Sequence, residues 1–251
     1  MNKQDNFKEI ENPQVDIILP NYNKGTFLRE CLNSVFSQTY KNWNLYIIDD
    51  NSKDDSKKII ESFKNRSDNI HVIYLKKNKG VAFCRNLGIR SSFSKYISFI
   101  DSDDFWSKDK LERQIFFMEK FKHTFTYTNY TTFVVRNNNK IFKKKILVPN
   151  GFDYEKFIKD SSLPMSSMII ERSIVGTIKF QKVKICEDYL FKCEILKNGK
   201  TAYKLSDNLA FYRIVSNARS SNRILNFIWL WKINKKYNNL NIFNNIKSII
   251  F

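Results

Sequence analysis

Residues 95–106 read KYISFIDSDDFW. The first six form an apolar run of strand length that ends on Asp101, with Ser102, Asp103 and Asp104 directly behind it. The same plan recurs three times upstream. VDIIL at 15–19 is a short buried-strand pattern closed by Pro20 and Asn21. NLYII at 44–48 runs into Asp49-Asp50-Asn51-Ser52, and IHVIYL at 70–75 leads to Asn78-Lys79-Gly80. Helical spacing fills the intervals. Phe27, Leu28, Cys31, Leu32, Val35 and Phe36 recur helically within 25–38, and Ile59, Ile60 and Phe63 line a helix that Ser52 is placed to cap. Further helices are expected at 81–92 and 108–121. Strands joined by crossovers of this length pair in parallel with right-handed connections, which predicts an α/β sandwich.

The second half changes character. Segments 125–135 and 140–147 are β-rich and flank Asn137-Asn138-Asn139, a hairpin pattern; 166–170 is another short apolar run. Residues 187–196 place Leu190, Phe191, Ile195 and Leu196 near one helical face, and 224–237 reads as amphipathic through Ile224, Phe227, Ile228 and Trp231. The expected organisation is a polar segment 1–13, an α/β half 14–124, a second half 125–222 of the same unit, and a basic amphipathic helix and tail at 223–251.

Composition removes several classes. The chain has 251 residues, 42% hydrophobic and 15% aromatic, too apolar for a disordered chain and enough for one sizeable core. The four cysteines form no CxxC pair, and with only two histidines a Cys/His zinc site is not expected; they read as reduced structural thiols of a cytosolic protein. The first residues lack the apolar core of a secretory signal, and no apolar run is long enough to cross a bilayer. Charge is unevenly spread. Residues 1–125 carry 21 basic and 17 acidic side chains, residues 126–251 carry 22 and 8, and no acid follows Asn208. The net +18 attracts polyanions such as nucleic acid, anionic lipid or phosphorylated substrates, although AT-rich coding also yields Lys, Asn, Ile and Phe together.

The chemistry is expected where open α/β sheets bind ligands, beyond the carboxyl ends of the strands. Polar or acidic residues follow all four strands of the first half, which suits one polar ligand held along that edge. The cluster Asp101, Asp103 and Asp104 is the most specific feature. Three carboxylates this close repel one another unless a cation lies among them, and hard oxygen ligands favour Mg²⁺ or Mn²⁺ bridging a substrate's phosphates. The competing reading is a solvated turn that caps the helix after it.

VDIILPNYNKGTFLRECLNSVFSQTY, LYIIDDNSKDDS, NKGVAFCRNLGI and YISFIDSDDFW resemble, in this order, the motifs of family 2 glycosyltransferases, tightly over 14–121 and loosely beyond. The resemblance implies a GT-A fold, in which a Rossmann-like nucleotide-binding sheet is flanked by helices, with a smaller acceptor-side lobe. It further implies a nucleotide-diphosphate-sugar donor, here a UDP-sugar. Pro20, Tyr22, Asn23 and Asp50 would then bind the nucleotide, with Asp50 on the uracil or ribose edge. Arg85 would help hold nucleotide or phosphate; Cys84 beside it stands where alanine is usual. Asp101-Ser102-Asp103 is similar to the family's DxD motif, so Asp103 would be the principal ligand of a divalent cation, Mn²⁺ or Mg²⁺, with Asp101 towards the ribose and the same cation.

By the same likeness Asp188, in the acidic pair Glu187-Asp188 before a helix, would be the base that deprotonates the acceptor hydroxyl in an inverting transfer. Asp104, Trp106, Glu187 and Arg213 are candidate contacts to the diphosphate or acceptor. Trp106 either stacks on a sugar or fills the core, and Arg213 either closes over the diphosphate or is a surface cation. The implied setting is surface polysaccharide, lipopolysaccharide or capsule assembly on a lipid-linked glycan acceptor. The enzyme would then work in the cytoplasm, peripheral to the inner face of the membrane. Arg223, Lys232, Lys235, Lys236 and Lys247, interleaved with aromatic residues, make 223–251 a candidate contact with anionic lipid; nucleic acid ranks below it. Two rivals remain: a sugar nucleotidyltransferase, which lacks its usual Gly-rich loop here, and a non-enzymatic membrane- or nucleic-acid-binding module.

Overall fold

In the computed structural model, which describes residues 14–137, 139–215 and 223–250, Ile17 and Leu19 point to one side of a sheet and Ile18 to the other. All three are fully buried, which explains why the strand reads as an unbroken apolar run rather than an alternating one. The expected segment 1–13 and residues Asn138, Ser216, Ser220 and Phe251 lie outside the described residues.

The first half follows the expected alternation. β1 (Val15–Asn21) leads to α1 (Gly25–Phe36), β2 (Trp43–Asp49) to α2 (Ser56–Lys64), β3 (Ile70–Tyr74) to α3 (Val81–Ser91), and β4 (Tyr96–Phe99) through the short β5 (Phe105–Trp106) to α4 (Lys110–Phe121). Strands β3, β2, β1 and β4 are neighbours and parallel. Helices α1, α2 and α4 cover one face with Leu28, Leu32, Phe63, Leu111 and Met118; α3 covers the other. Helix α3 sits so close that a Cβ on Gly88 would meet Ile18 Cγ2 at 2.6 Å. One boundary differs from expectation. Asp55, not Ser52, precedes α2, because the Ser52 hydroxyl donates to Asp49 and accepts from Asn21 and the Asn23 amide.

The second half extends the same sheet. β6 (Phe125–Arg136) and β7 (Asn139–Ile146) form the expected hairpin, followed by α5 (Tyr154–Phe157), a 3-10 turn (Met165–Ser167), β8 (Ile169–Glu171) and α6 (Arg172–Val175). Then come α7 (Glu187–Lys197), β9 (Tyr203–Arg213), α8 (Arg223–Lys236) and α9 (Ile242–Ile250). The sheet order is β3-β2-β1-β4-β8-β6-β9-β5, with β7 on the outer end of β6. Strand β8 runs antiparallel to both neighbours and so stitches the parallel half to the remainder. Strand β9 was not expected. Its Asp207-Asn208 interrupts the alternation like a turn, yet the pairing with β6 absorbs the irregularity at Asn129, whose amide donates to the Ser206 carbonyl.

The C-terminal region differs from the single amphipathic helix expected. It holds two helices packed on each other, and α8 is not one-sided: Ile233 is buried against the core while Phe227 and Ile228 are exposed. Asn234 links three helices: it accepts from the Tyr189 hydroxyl of α7 and donates to Ser248 of α9.

Candidate active site

The carboxyl ends of β1 and β2 are tied together before any ligand arrives. Asn21 donates to Asp49, the Lys53 amide donates to Asn23 Oδ1, and the Gly25 amide donates to Asp54. Asn23 and Asn51 adopt the left-handed backbone, at φ 51° and 65°, a conformation asparagine tolerates better than most residues. Asn23 is therefore a clip between two loops. Pro20 lies buried within β1, whereas Tyr22, 46% exposed, opens onto the crevice rim. Asp50 is buried, and its two oxygens accept the Lys79 and Gly80 amides at 2.6 and 2.8 Å, which fixes the start of α3.

Arg85, on α3, occupies the centre. Its guanidinium is buried and joins Asp101 (2.7 Å) to Glu187 (3.1 Å), with Phe180 beneath it. Burial would lower its pKa, but the two carboxylates outweigh that and keep it charged. Arg85 thus bridges the loop after β4 and the start of α7. Cys186, immediately before α7, is held left-handed at φ 64° and turns the chain so that Glu187 and Asp188 open the helix.

Asp188 is half-buried and accepts from Lys192 Nζ at 2.9 Å; Lys192, fully enclosed, also donates to the Leu163 carbonyl. Burial alone would raise the Asp188 pKa, but Lys192 and then Arg85 outweigh it and bring it down to about 2. It is ionised throughout the neutral range.

The acidic loop divides its labour. Asp104 is buried, and its oxygens accept the Ser166 hydroxyl and the Arg213 amide; burial and the charges of Asp103 and Asp101 push its pKa up. Trp106 is buried with Nε1 donating to the Ser166 carbonyl, so it fills the core and does not stack on a sugar. Arg213 is buried and so is not a surface cation. It is wedged between Phe27 and Phe133, donates to the Asp103 carbonyl and pairs with Glu30. These three expected contacts thus shape the loop from behind.

That leaves Asp101 and Asp103 facing the crevice, with 32% and 23% of their side chains exposed. Lys24 Nζ lies 2.6 Å from Asp103, an arrangement not expected from the sequence although Lys24 closes the PNYNK loop. A cation at Asp103 is therefore already favoured. Among the described residues no three His, Cys, Asp or Glu side chains converge on one point. A divalent ion held by these hard oxygens would complete its shell from phosphate and water, as such ions commonly do. The donor set fits. A separate open groove of about 600 Å³ runs along α1, lined by Arg29, Glu30, Phe105 and Lys140; it does not include the strand-end acids.

The model of "Glycosyl transferase family 2" matches residues 16–190. The chain is 33% identical over 224 residues, 89% of its length and 85% of the relative's, to the Bacillus subtilis (strain 168) protein named "Putative teichuronic acid biosynthesis glycosyltransferase TuaG". It is 32% identical over 221 residues, 87% of its length and 84% of the relative's, to Escherichia coli WfgD, named as a UDP-Glc:alpha-D-GlcNAc-diphosphoundecaprenol beta-1,3-glucosyltransferase. Among solved structures, Staphylococcus aureus TarS in complex with UDP-GlcNAc superposes with a TM-score of 0.73 at 20% identity, covering 94% of this chain and 70% of that one. The mannosyltransferase PcManGT from Pyrobaculum calidifontis, with GDP-Man and Mn²⁺, gives 0.70 at 15%, covering 95% and 68%. These neighbours share the GT-A fold.

Proposed function

Since the chain belongs to glycosyl transferase family 2, we propose that it moves a hexose or N-acetylhexosamine from a UDP-sugar, with inversion, to a lipid-linked glycan acceptor in surface-polysaccharide assembly. The donor and acceptor classes are suggested by WfgD's name and by TarS's bound UDP-GlcNAc. The family match leaves the nucleotidyltransferase and pure binding-module readings without support.

The observation that carries the mechanism is the Arg85 bridge. It holds the acidic loop and the first turn of α7 as one unit, so that the groups facing a leaving diphosphate and the group facing an acceptor keep a set relationship. Asp103 and Asp101 would hold the divalent cation, whose positive charge stabilises the departing diphosphate. Asp188 takes the proton of the acceptor hydroxyl as its oxygen attacks C1 of the sugar; the C1–O bond to phosphate breaks, and UDP leaves with the electron pair. Asp50 and the loops it ties shape the nucleotide end, and Tyr22 stands open beside it.

The acceptor's lipid suggests an anionic bilayer as a further partner. Phe227, Ile228, Ile242, Phe243 and Ile246 are exposed on α8 and α9, Lys232, Lys235 and Lys236 are exposed among them, and the chain carries no acid beyond Asn208. No helix of the described residues is long and apolar enough to cross a membrane. A panel of UDP-sugars incubated with Mn²⁺ and an undecaprenyl-diphosphate-linked sugar tests the activity. One donor should give UDP release only with acceptor present, and turnover of no UDP-sugar would contradict the reading. Flotation with anionic vesicles should be lost in F243E/I246E if α9 is the contact.

A further inference from the structure

The pair Lys24–Asp103 has a second use. Lys24 stands at the N-cap of α1, where the helix's partial positive charge disfavours a cation. A lysine there needs an anion to hold it, and Asp103 is that anion in this structure, at 2.6 Å. The rest of the neighbourhood is fixed. Arg213 grips the Asp103 backbone carbonyl at 2.9 Å and is wedged on Phe27, the same ring that Lys24 overlies at 5.6 Å. Asp104 is locked by Ser166 and the Arg213 amide. The part free to move is the lysine side chain, four methylenes long and about one-third exposed.

Resting on the reading of Asp103 as a metal ligand, we infer that Lys24 is a built-in counter-cation. It neutralises Asp103 while the donor is away and gives the carboxylate over when a divalent cation arrives with the nucleotide. Two positive charges cannot share one carboxylate cheaply. The displaced ammonium then requires a new anion, and the diphosphate is the one the site receives. Lys24 is thus a diphosphate-contacting residue whose ion pair makes metal binding wait for the nucleotide. The arrangement favours ordered loading, with metal alone held weakly and metal plus nucleotide held well.

Mn²⁺ titration followed by the paramagnetic resonance of the free ion tests this, on the wild type, K24M, K24R and D103A, with and without UDP. Removing a partly exposed competing ion pair predicts that K24M binds Mn²⁺ without nucleotide about fivefold more tightly than the wild type. With saturating Mn²⁺, K24M should bind UDP more weakly, and K24R should follow the wild type in both measurements. If D103A abolishes Mn²⁺ binding yet K24M and wild type share one affinity, the Lys24 assignment is wrong and the metal site stands. K24R binding Mn²⁺ as tightly as K24M would also overturn it. If D103A binds Mn²⁺ like the wild type, the metal reading itself falls.

Discussion

Asp101 and Glu187 meet on one guanidinium: Arg85 donates to the first at 2.7 Å and to the second at 3.1 Å, from a position almost closed to solvent. The acidic loop after β4 and the helix bearing the candidate base are thereby one electrostatic object. A planar fork can serve both carboxylates at once, and a single ammonium cannot.

Arg85→Lys should therefore keep the charge and the fold while lowering the transfer rate at least tenfold, with little change in UDP affinity. Arg85→Met leaves two carboxylates facing each other and should cost about 3–5 kcal/mol of stability, the usual penalty for stranding one side of a buried pair. Thermal melts and steady-state kinetics check both. A fully active R85K would show that the bridge does not position the reacting groups.

Lys192 bears on the pH profile. Asp188 has its pKa brought down to about 2, against an ordinary 3.8, with Lys192 the strongest of the groups that lower it. With Asp188 in the proposed role of base, the ionised carboxylate and the activity that needs it are present above the folded pKa and lost as pH falls through it. In the wild type that loss lies far below neutral pH. Lys192→Met should move the acid limb of kcat to higher pH, by about one unit or more, while donor KM stays near its original value. Superimposable profiles would mean that Lys192 is only a structural cation.

Lys110 is a candidate for stabilisation. The residue is 0% exposed, and its Nζ lies 4.2 Å from the Trp106 ring centroid and makes no hydrogen bond among the described residues. Burial drives its pKa well down. The cation–π contact returns about 2 kcal/mol at best, less than burying an unpaired ammonium costs. Lys110→Met keeps the volume and should raise stability by about 1–3 kcal/mol, seen as a higher Tm with activity unchanged. A lower Tm would contradict this.

The strands and helices of the first half were legible because both faces of the sheet are buried, so each strand is a clean apolar run ending in polar residues. The loops that carry Asp50, Asp101 and Asp103 were legible for the same reason. What sequence could not reveal was orientation. Asp104, Trp106 and Arg213 lie near the crevice acids but pack against Ser166 and Glu30, and Arg85 is engaged by both Asp101 and Glu187. Strand β9 was hidden because Asp207-Asn208 mimics a turn that a register shift absorbs. Lys24 and Lys192 were missed for a different reason: a lone lysine carries no signature until its anion is known.

The identity of the base is tested most directly by Asp188→Asn, which removes the proton acceptor and preserves the shape of the first turn of α7. UDP affinity, measured calorimetrically with Mn²⁺, should stay within about twofold of wild type while kcat for transfer to the lipid-linked acceptor falls by about 10²–10⁴. A variant that binds UDP and transfers sugar at the wild-type rate would contradict the assignment of Asp188 as the base.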